Sequence, residues 1–307
     1  MRRPPVSTLI AALIPWAWFA VRSASPWMDV VAVILPLIGA GALLLAALTT
    51  FIERLRLVGV FAVSLAIVSM VAIVVPRLPL GPAATAGDLT VVAANLTGNN
   101  PDAGAAVSRL LDVGPDILVL EEANPHAQRR YDDIEAVLPH REEGPMLGRS
   151  QVVVFSHYPM TRLELPEEVD TGRIVAVRVT GPEPFIVVGA HLPRPWFRGR
   201  GVQLRPPARQ ALLESLGDWL ATLENPVILA GDLNSTDRGV GYRTLLGRAD
   251  LIDAMRVTWA STTSTKWWPL LLRIDHVLVR GICPSSARNT ALEGSDHRSV
   301  VAELAFC

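Results

Sequence analysis

Three uncharged apolar runs, Pro4–Val21, Val30–Ile52 and Leu57–Pro76, dominate the first 87 residues and restrict what this stretch can become. A helix rises about 1.5 Å per residue, so roughly 20 residues cross a hydrocarbon core of about 30 Å. The second and third runs reach that length without a charge. The first is shorter and contains Pro15, which leaves a signal peptide as a competing reading. No small-x-small cleavage pattern ends it cleanly, and Trp16 and Trp18 suit an interfacial aromatic belt. Residues 1–76 are therefore expected to hold three membrane helices, at about 5–22, 30–52 and 57–76.

Basic residues tend to stay on the cytoplasmic side of a membrane. Arg2 and Arg3 precede the first run, and Arg54 and Arg56 stand in the turn before the third, whereas the loop Arg22–Asp29 is neutral. The expectation is a multi-pass cell-membrane protein whose chain emerges on the extracytoplasmic side after Pro76. Residues 77–87, with Pro79, Gly81 and Pro82, show no periodicity and read as a short flexible linker. Residues 88–307 then form one soluble domain.

The mean hydropathy of +0.34 comes from the membrane runs, and removing them changes the charge balance. Of 28 Lys and Arg and 29 Asp and Glu, only six and two fall before Asp88, so the remainder carries 22 against 27. That acidic excess gives no global field for duplex DNA. Cys283 and Cys307 could pair outside the membrane, but their separation in space is not readable from spacing, and two free thiols stay open.

From Asp88 onward, short Val- and Ile-rich runs alternate with capped helical stretches. Leu89–Ala94, Ile117–Leu120, Val152–Phe155, Ile174–Val179, Phe185–Gly189, Val227–Ala230, Ile274–Val279 and Ser299–Leu304 read as strands. Pro101–Val113 reads as a helix behind Asn100, and Arg205–Leu223 as one with an apolar face. Many strands with few helices suggest an α/β sandwich of two sheets with outer helices, although propensity alone does not exclude one mixed sheet.

Polar residues recur where the apolar runs end. Asn95, Glu121–Glu122, His191, and Asp232 with Asn234 follow such runs, Asp275 interrupts one, and Asp296–His297 precedes the last. Strand ends on a rigid scaffold can hold groups to catalytic tolerance. Oxygen donors without thiolates suit Mg²⁺ or Mn²⁺ rather than structural zinc, and histidines beside acids add acid–base capacity. Taken singly, each has a bland alternative: a turn residue, a solvated strand end, a core histidine or a local ion pair.

The ordered set resembles the endonuclease/exonuclease/phosphatase superfamily, whose fold is DNase-I-like. The matching stretches are LTVVAAN, PDILVLEE, FSHYP, GAHL, AGDLN, RIDHVLV and GSDHRSV, in that order. The resemblance implies a four-layer α/β/β/α sandwich that hydrolyses phosphate esters with a divalent metal, Mg²⁺ or Mn²⁺. It implies Glu122 as metal ligand, with Asn95 and Asp296 completing the shell, and Glu121 standing where a glutamine is usual. It further implies that His297, oriented by Asp275, activates water or stabilises charge. Asp232 and Asn234 would position nucleophile and phosphate, and His191 would donate to a non-bridging oxygen.

Substrate is less legible. Arg194, Trp196, Arg198 and Arg209 form a basic, aromatic stretch after His191, which reads equally as an anion-gripping rim or as a solvated loop. Three readings follow: an enzyme acting on a lipid or cell-envelope phosphate, an extracytoplasmic nuclease, and a membrane-binding module without catalysis. Nucleic acid is a less favoured partner, and no obligate protein partner is implied. The complete polar set argues against the third reading.

Overall fold

The computed structural model describes residues 5–307 apart from Arg149 and Arg200. Three apolar helices come first: α1 (Val6–Val21), α2 (Met28–Thr49) and α3 (Arg56–Val74). Among the described residues, two stretches are long and apolar enough to cross a membrane, Met28–Thr49 and Glu53–Arg77. The expectation of three spans is narrowed here, because α1 is a 16-residue helix that contains Pro15 and falls short of that length. Leu43, Leu44, Leu48, Ile67 and Met70 face outward. Such wide apolar exposure is costly in water.

The rest is a sandwich of two six-stranded sheets. One sheet runs in the order β13 (Ile282–Ala291), β14 (Arg298–Phe306), β1 (Leu89–Asn95), β2 (Ile117–Glu121), β4 (Val153–Ser156), β3 (His140–Glu143). The other runs β11 (Ile252–Asp253), β12 (Asp275–Arg280), β10 (Val227–Asp232), β7 (Pro184–Ala190), β6 (Ile174–Thr180), β5 (Met160–Arg162). A small hairpin, β8 (Trp196–Gly199) with β9 (Gly201–Leu204), stands apart. Alternate residues such as Val91, Val119, Val154, Val187, Ile228, Val277 and Val300 meet between the sheets in a dry core. The opposite faces are covered by α4 (Ala103–Leu111), α5 (Pro125–Gln128) and α6 (Tyr131–Glu135) on one side. On the other side lie α7 (Pro206–Thr222) and α8 (Val240–Ala249). Strands buried on both faces explain the near-continuous Val/Ile/Ala runs in β1, β2, β7 and β10.

Two readings of the sequence change. Residues 77–87 are not a free tether. Arg77 is buried and donates to Asp237 at 3.0 Å, the Leu80 N–H donates to the Arg256 carbonyl, and the Ala83 N–H to that of Pro284. The question left open over the cysteines is answered: Cys283 and Cys307 are disulfide-bonded, their Cα atoms 5.8 Å apart, tying β13 to the end of the chain.

Candidate active site

Strand direction gathers the polar set. β1 and β2 are parallel, with Asn95 opposite Glu121, and β7 and β10 are parallel, with Ala230 opposite Gly189. Their C-terminal ends point to the same edge of the sandwich. β12 is antiparallel to β10, so its first residue, Asp275, lies opposite Asp232. β14 is antiparallel to β1, which puts Asp296 and His297, just before its start, at that edge too. Two positive-φ residues sit where the chain turns into the site, Glu122 at 50° and Asn234 at 45°. Ordinary residues adopt this conformation at a cost, and such strain concentrates at functional positions. Gly231, at φ 133°, can be nothing larger, since a Cβ would strike the Ala190 carbonyl and the Glu121 carboxylate.

His297 Nδ1 lies 2.9 and 3.0 Å from the two Asp275 oxygens, leaving Nε2 directed at Asp232 Oδ2, 4.0 Å away, and Asp296 Oδ1, 3.8 Å away. Asp232 accepts from the Asn234 backbone N–H at 2.9 Å and from the Asn95 amide at 3.0 Å. Asn234 also donates to the Leu192 carbonyl, which joins its loop to the one that follows His191. On the other wall, His191 Nε2 is 3.5 Å from Glu122 Oε1 and 3.8 Å from Asp232 Oδ2. Glu122 accepts from the Gly98 N–H at 2.6 Å.

Burial alone lowers the His297 pKa, but the Asp275 carboxylate beside it, with Asp232 and Asp296, overrules that and pushes it up to about 10. Burial also dominates at His191, where it holds the imidazole below its ordinary range despite Asp232 and Glu122. Burial raises the Asp232 carboxyl, with Asp275 adding to the effect. At Glu122 burial is outweighed by His191 and the Gly98 and Asn95 hydrogen bonds, so its carboxyl stays below the usual range. The site thus pairs a charged histidine with a neutral one and a raised carboxyl with a lowered one, a pattern typical of acid–base sites.

A divalent ion suits this donor set. Glu121, Glu122, Asp232, Asp275 and Asp296 converge, and the only lysine at hand, Lys266, bridges Asp296 at 3.0 Å. Both carboxylate oxygens of Glu121 are buried without a hydrogen-bond partner. Asp232, Asp275 and His297 each bring a ligand atom within 4.8 Å of the others, which is a different trio from the expected Asn95, Glu122 and Asp296. Asp275 and His297 are already committed to each other, so Asn95, Glu122, Asp232 and Asp296 remain as oxygen donors.

Burial, followed by Asp275 and Asp232, drives the Glu121 carboxyl well above its ordinary value, which favours the neutral form, similar in shape to a glutamine side chain. A carboxyl whose folded pKa exceeds its unfolded one destabilises the fold above the unfolded pKa, because only the unfolded chain releases the proton readily. Glu121→Gln is therefore expected to raise Tm in EDTA, little near pH 5 and progressively more toward pH 8. Equal shifts in thermal unfolding at both pH values would contradict this.

A cavity of about 590 Å³ opens beside His191 and Glu122, lined also by Arg173, Arg194, Arg205 and Arg209. The expected substrate residues divide. Arg194 is exposed at its mouth, and Arg173, overlooked in the sequence, lies within 3.4 Å of His191 Nδ1. Trp196 and Arg198 lie on β8, and their side chains are outside the described residues. Arg209 is corrected: it is buried, and its guanidinium is committed to Asp29 and to the carbonyls of Pro193, Leu233 and Asn234. Thr97 and Ser295 were also missed. The Thr97 hydroxyl donates to Asp296 at 2.6 Å, and the Ser295 hydroxyl donates to the Asn95 carbonyl and accepts from the His297 N–H. Isolated hydroxyls carry no sequence pattern that would have singled them out.

Residues 85–297 match the family model described as Endonuclease/Exonuclease/phosphatase family. No curated protein matches the chain. Among solved structures, it is similar to a 3'-5' exonuclease from Neisseria meningitidis, at 20% identity and TM-score 0.54, over 71% of this chain and 100% of that one. An AP endonuclease from Archaeoglobus fulgidus is similar at 17% identity and TM-score 0.53, over 70% and 98%. Sphingomyelinase C from Streptomyces griseocarneus is similar at 18% identity and TM-score 0.50, over 71% and 99%. At these identities the likeness is one of fold. Family model, two-sheet topology and strand-end polar set agree, and the chain belongs to the endonuclease/exonuclease/phosphatase family.

Proposed function

We propose that this protein is a membrane-anchored hydrolase that cleaves phosphate esters, as phosphomonoesterase or phosphodiesterase, with a divalent metal, Mg²⁺ or Mn²⁺. The observation that carries this reading is the His297–Asp275 pair facing Asp232 across a buried carboxylate cluster. Glu122, Asn95 and Asp296 would hold the metal, which when bound would neutralise phosphate oxygens. Asp232, its carboxyl raised by burial, accepts the proton of an attacking water, and Asn234 keeps that carboxylate aimed through its backbone N–H. His297, charged and fixed by Asp275, donates from Nε2 toward the developing charge, and His191 faces a non-bridging oxygen. Arg194 and Arg173 attract the anionic substrate at the mouth of the cavity.

The substrate class is a lipid or cell-envelope phosphate. Its support is positional: Asp29, the second residue of α2, contacts Arg209 in the cavity wall. Extracytoplasmic placement is supported by the sequence positions of Arg2, Arg3, Arg54 and Arg56 flanking the apolar runs, and by a disulfide, which persists in oxidising compartments. Similar structures named as an exonuclease, an AP endonuclease and a sphingomyelinase keep a nuclease as the second outcome of the same assay. The purified full chain in nanodiscs, with Mg²⁺, is expected to release phosphate or headgroup from anionic lipids faster than it nicks plasmid DNA, and EDTA is expected to abolish both. Faster cleavage of plasmid replaces the lipid reading by the nuclease. No turnover above the EDTA control on either substrate overturns the enzymatic reading. Digestion of the domain by external protease on intact cells tests its placement, and protection would reverse it.

A further inference from the structure

The loop from Asp232 to Gly239 carries two of the site residues at one end and is held by the apolar helices at the other. Asp29, near the start of α2, is buried. Its Oδ1 accepts from the backbone N–H groups of Val240 and Gly241, and its Oδ2 accepts from Arg209 Nη1 at 2.8 Å. α8 begins at Gly239 with no side-chain cap of its own, so the carboxylate of another helix does that work. A Cβ at Gly239 would meet Asp29 Oδ1. Arg209 passes the contact on, donating to the carbonyls of Pro193, Leu233 and Asn234, beside His191 and at Asn234 itself.

A second grip lies one turn further along α2. Pro36 has no N–H, so the Ala32 carbonyl lacks its helical donor. Arg238 Nε fills that place at 2.6 Å, and its Nη2 reaches the Val33 carbonyl at 3.3 Å. A third comes from beyond α3, where Arg77 holds Asp237 at 3.0 Å. An uncommitted anchor would need none of these. An unmet helical carbonyl, a missing cap and a buried charge pair are each satisfied only when domain and helices are together.

We propose that the outer ends of α2 and α3 are structural parts of the catalytic centre, with Asp29 a positioning residue that holds the Asp232–Gly239 and His191–Pro193 loops in working geometry. The assignment of those loops to catalysis rests on the hydrolase reading above, whereas the clamp itself does not. Misplacement of reacting groups by about 1 Å costs on the order of 10²-fold in rate.

The test uses the full chain in nanodiscs, read by amide hydrogen exchange and by turnover of bis-p-nitrophenyl phosphate with Mg²⁺. Asp29→Ala is expected to speed exchange in peptides covering 191–194 and 232–241 while leaving β1 and β14 protected, and to lower kcat by about 10²-fold with KM little changed. Asp29→Asn, which keeps an acceptor for the two N–H groups, is expected to recover part of both. Pro36→Ala returns an N–H to the Ala32 carbonyl without weakening the helix, and is expected to speed exchange around 237–241. If Asp29→Ala unfolds, the other two variants decide by the same readings. Unchanged exchange in the loops overturns the clamp, and faster exchange with kcat untouched overturns its role in positioning. A wild type inactive on this diester and on p-nitrophenyl phosphate alike refutes the hydrolase reading and leaves exchange to decide the clamp.

Discussion

His297→Ala is expected to lower kcat on phosphate esters by about 10²- to 10⁴-fold, the range of a positioned general acid or base. The geometry gives three reasons. The imidazole is oriented by two contacts to Asp275, its free nitrogen faces Asp232, and its charge balances a cluster otherwise rich in carboxylates. Asp275→Asn should mimic much of the loss, because the amide can no longer hold the imidazolium. The raised pKa of about 10 means that the metal-free His297 stays charged throughout the neutral range and loses its proton, and the stability of its pairing with Asp275, only as pH rises toward that value. Activity measured against pH in both variants, alongside circular dichroism for folding, checks the expectation. A folded His297→Ala variant within about threefold of wild type removes His297 from the chemistry.

The second large effect concerns stability. Arg273 is wholly buried between Asp253, at 2.6 Å, and Asp237, at 3.1 Å, and its Nη1 lies 3.1 Å from the His276 ring. Burial opposes the charged forms of all three, but the guanidinium holds both carboxyls below their usual range. Arg273→Met leaves two buried carboxylates with too few cations, and breaking a buried pair costs about 3–5 kcal/mol. The expected result is a large fall in Tm, or failure to accumulate folded protein, measured by thermal unfolding at neutral pH. Lowering the pH should relieve part of the loss, since the orphaned carboxyls then take up protons. A variant that melts within a degree or two of wild type would show that the network is dispensable.

Most of the polar cluster was readable because strand period and strand ends are local properties. Asn95, Glu122, Asp232, Asn234, Asp275 and His297 each follow or interrupt an apolar run, and parallel pairing of β1 with β2 and of β7 with β10 brings them to one edge. What escaped depends on distant partners. β13 looked unlike a strand because it contains Pro284 and alternates polar residues, yet it lies at a sheet edge, where proline is tolerated and a polar face meets water. α8 was invisible because it contains Gly241 and Gly247 and its cap is Asp29. Arg209 looked like part of a free basic rim, because nothing local reveals a carboxylate 180 residues away in the chain. The linker was misread for the same reason, its Arg77 having partners at Asp237, Thr262 and Leu271.

The Asp29 contact also sets an order of events during synthesis. Asp29 leaves the ribosome 211 residues before Val240, whose N–H it accepts. At about 5–20 residues per second, roughly 10 to 40 s separate the two. For most of that interval the carboxylate stands without Arg209, its guanidinium partner, and without the α8 N–H groups it accepts from. Asp275 and His297 follow later still, so the polar cluster is completed only after both partners of Asp29 have emerged. A chain arrested before residue 240 holds Asp29 without the N–H groups it caps, and lacks β11 to β14 and with them Asp275 and His297.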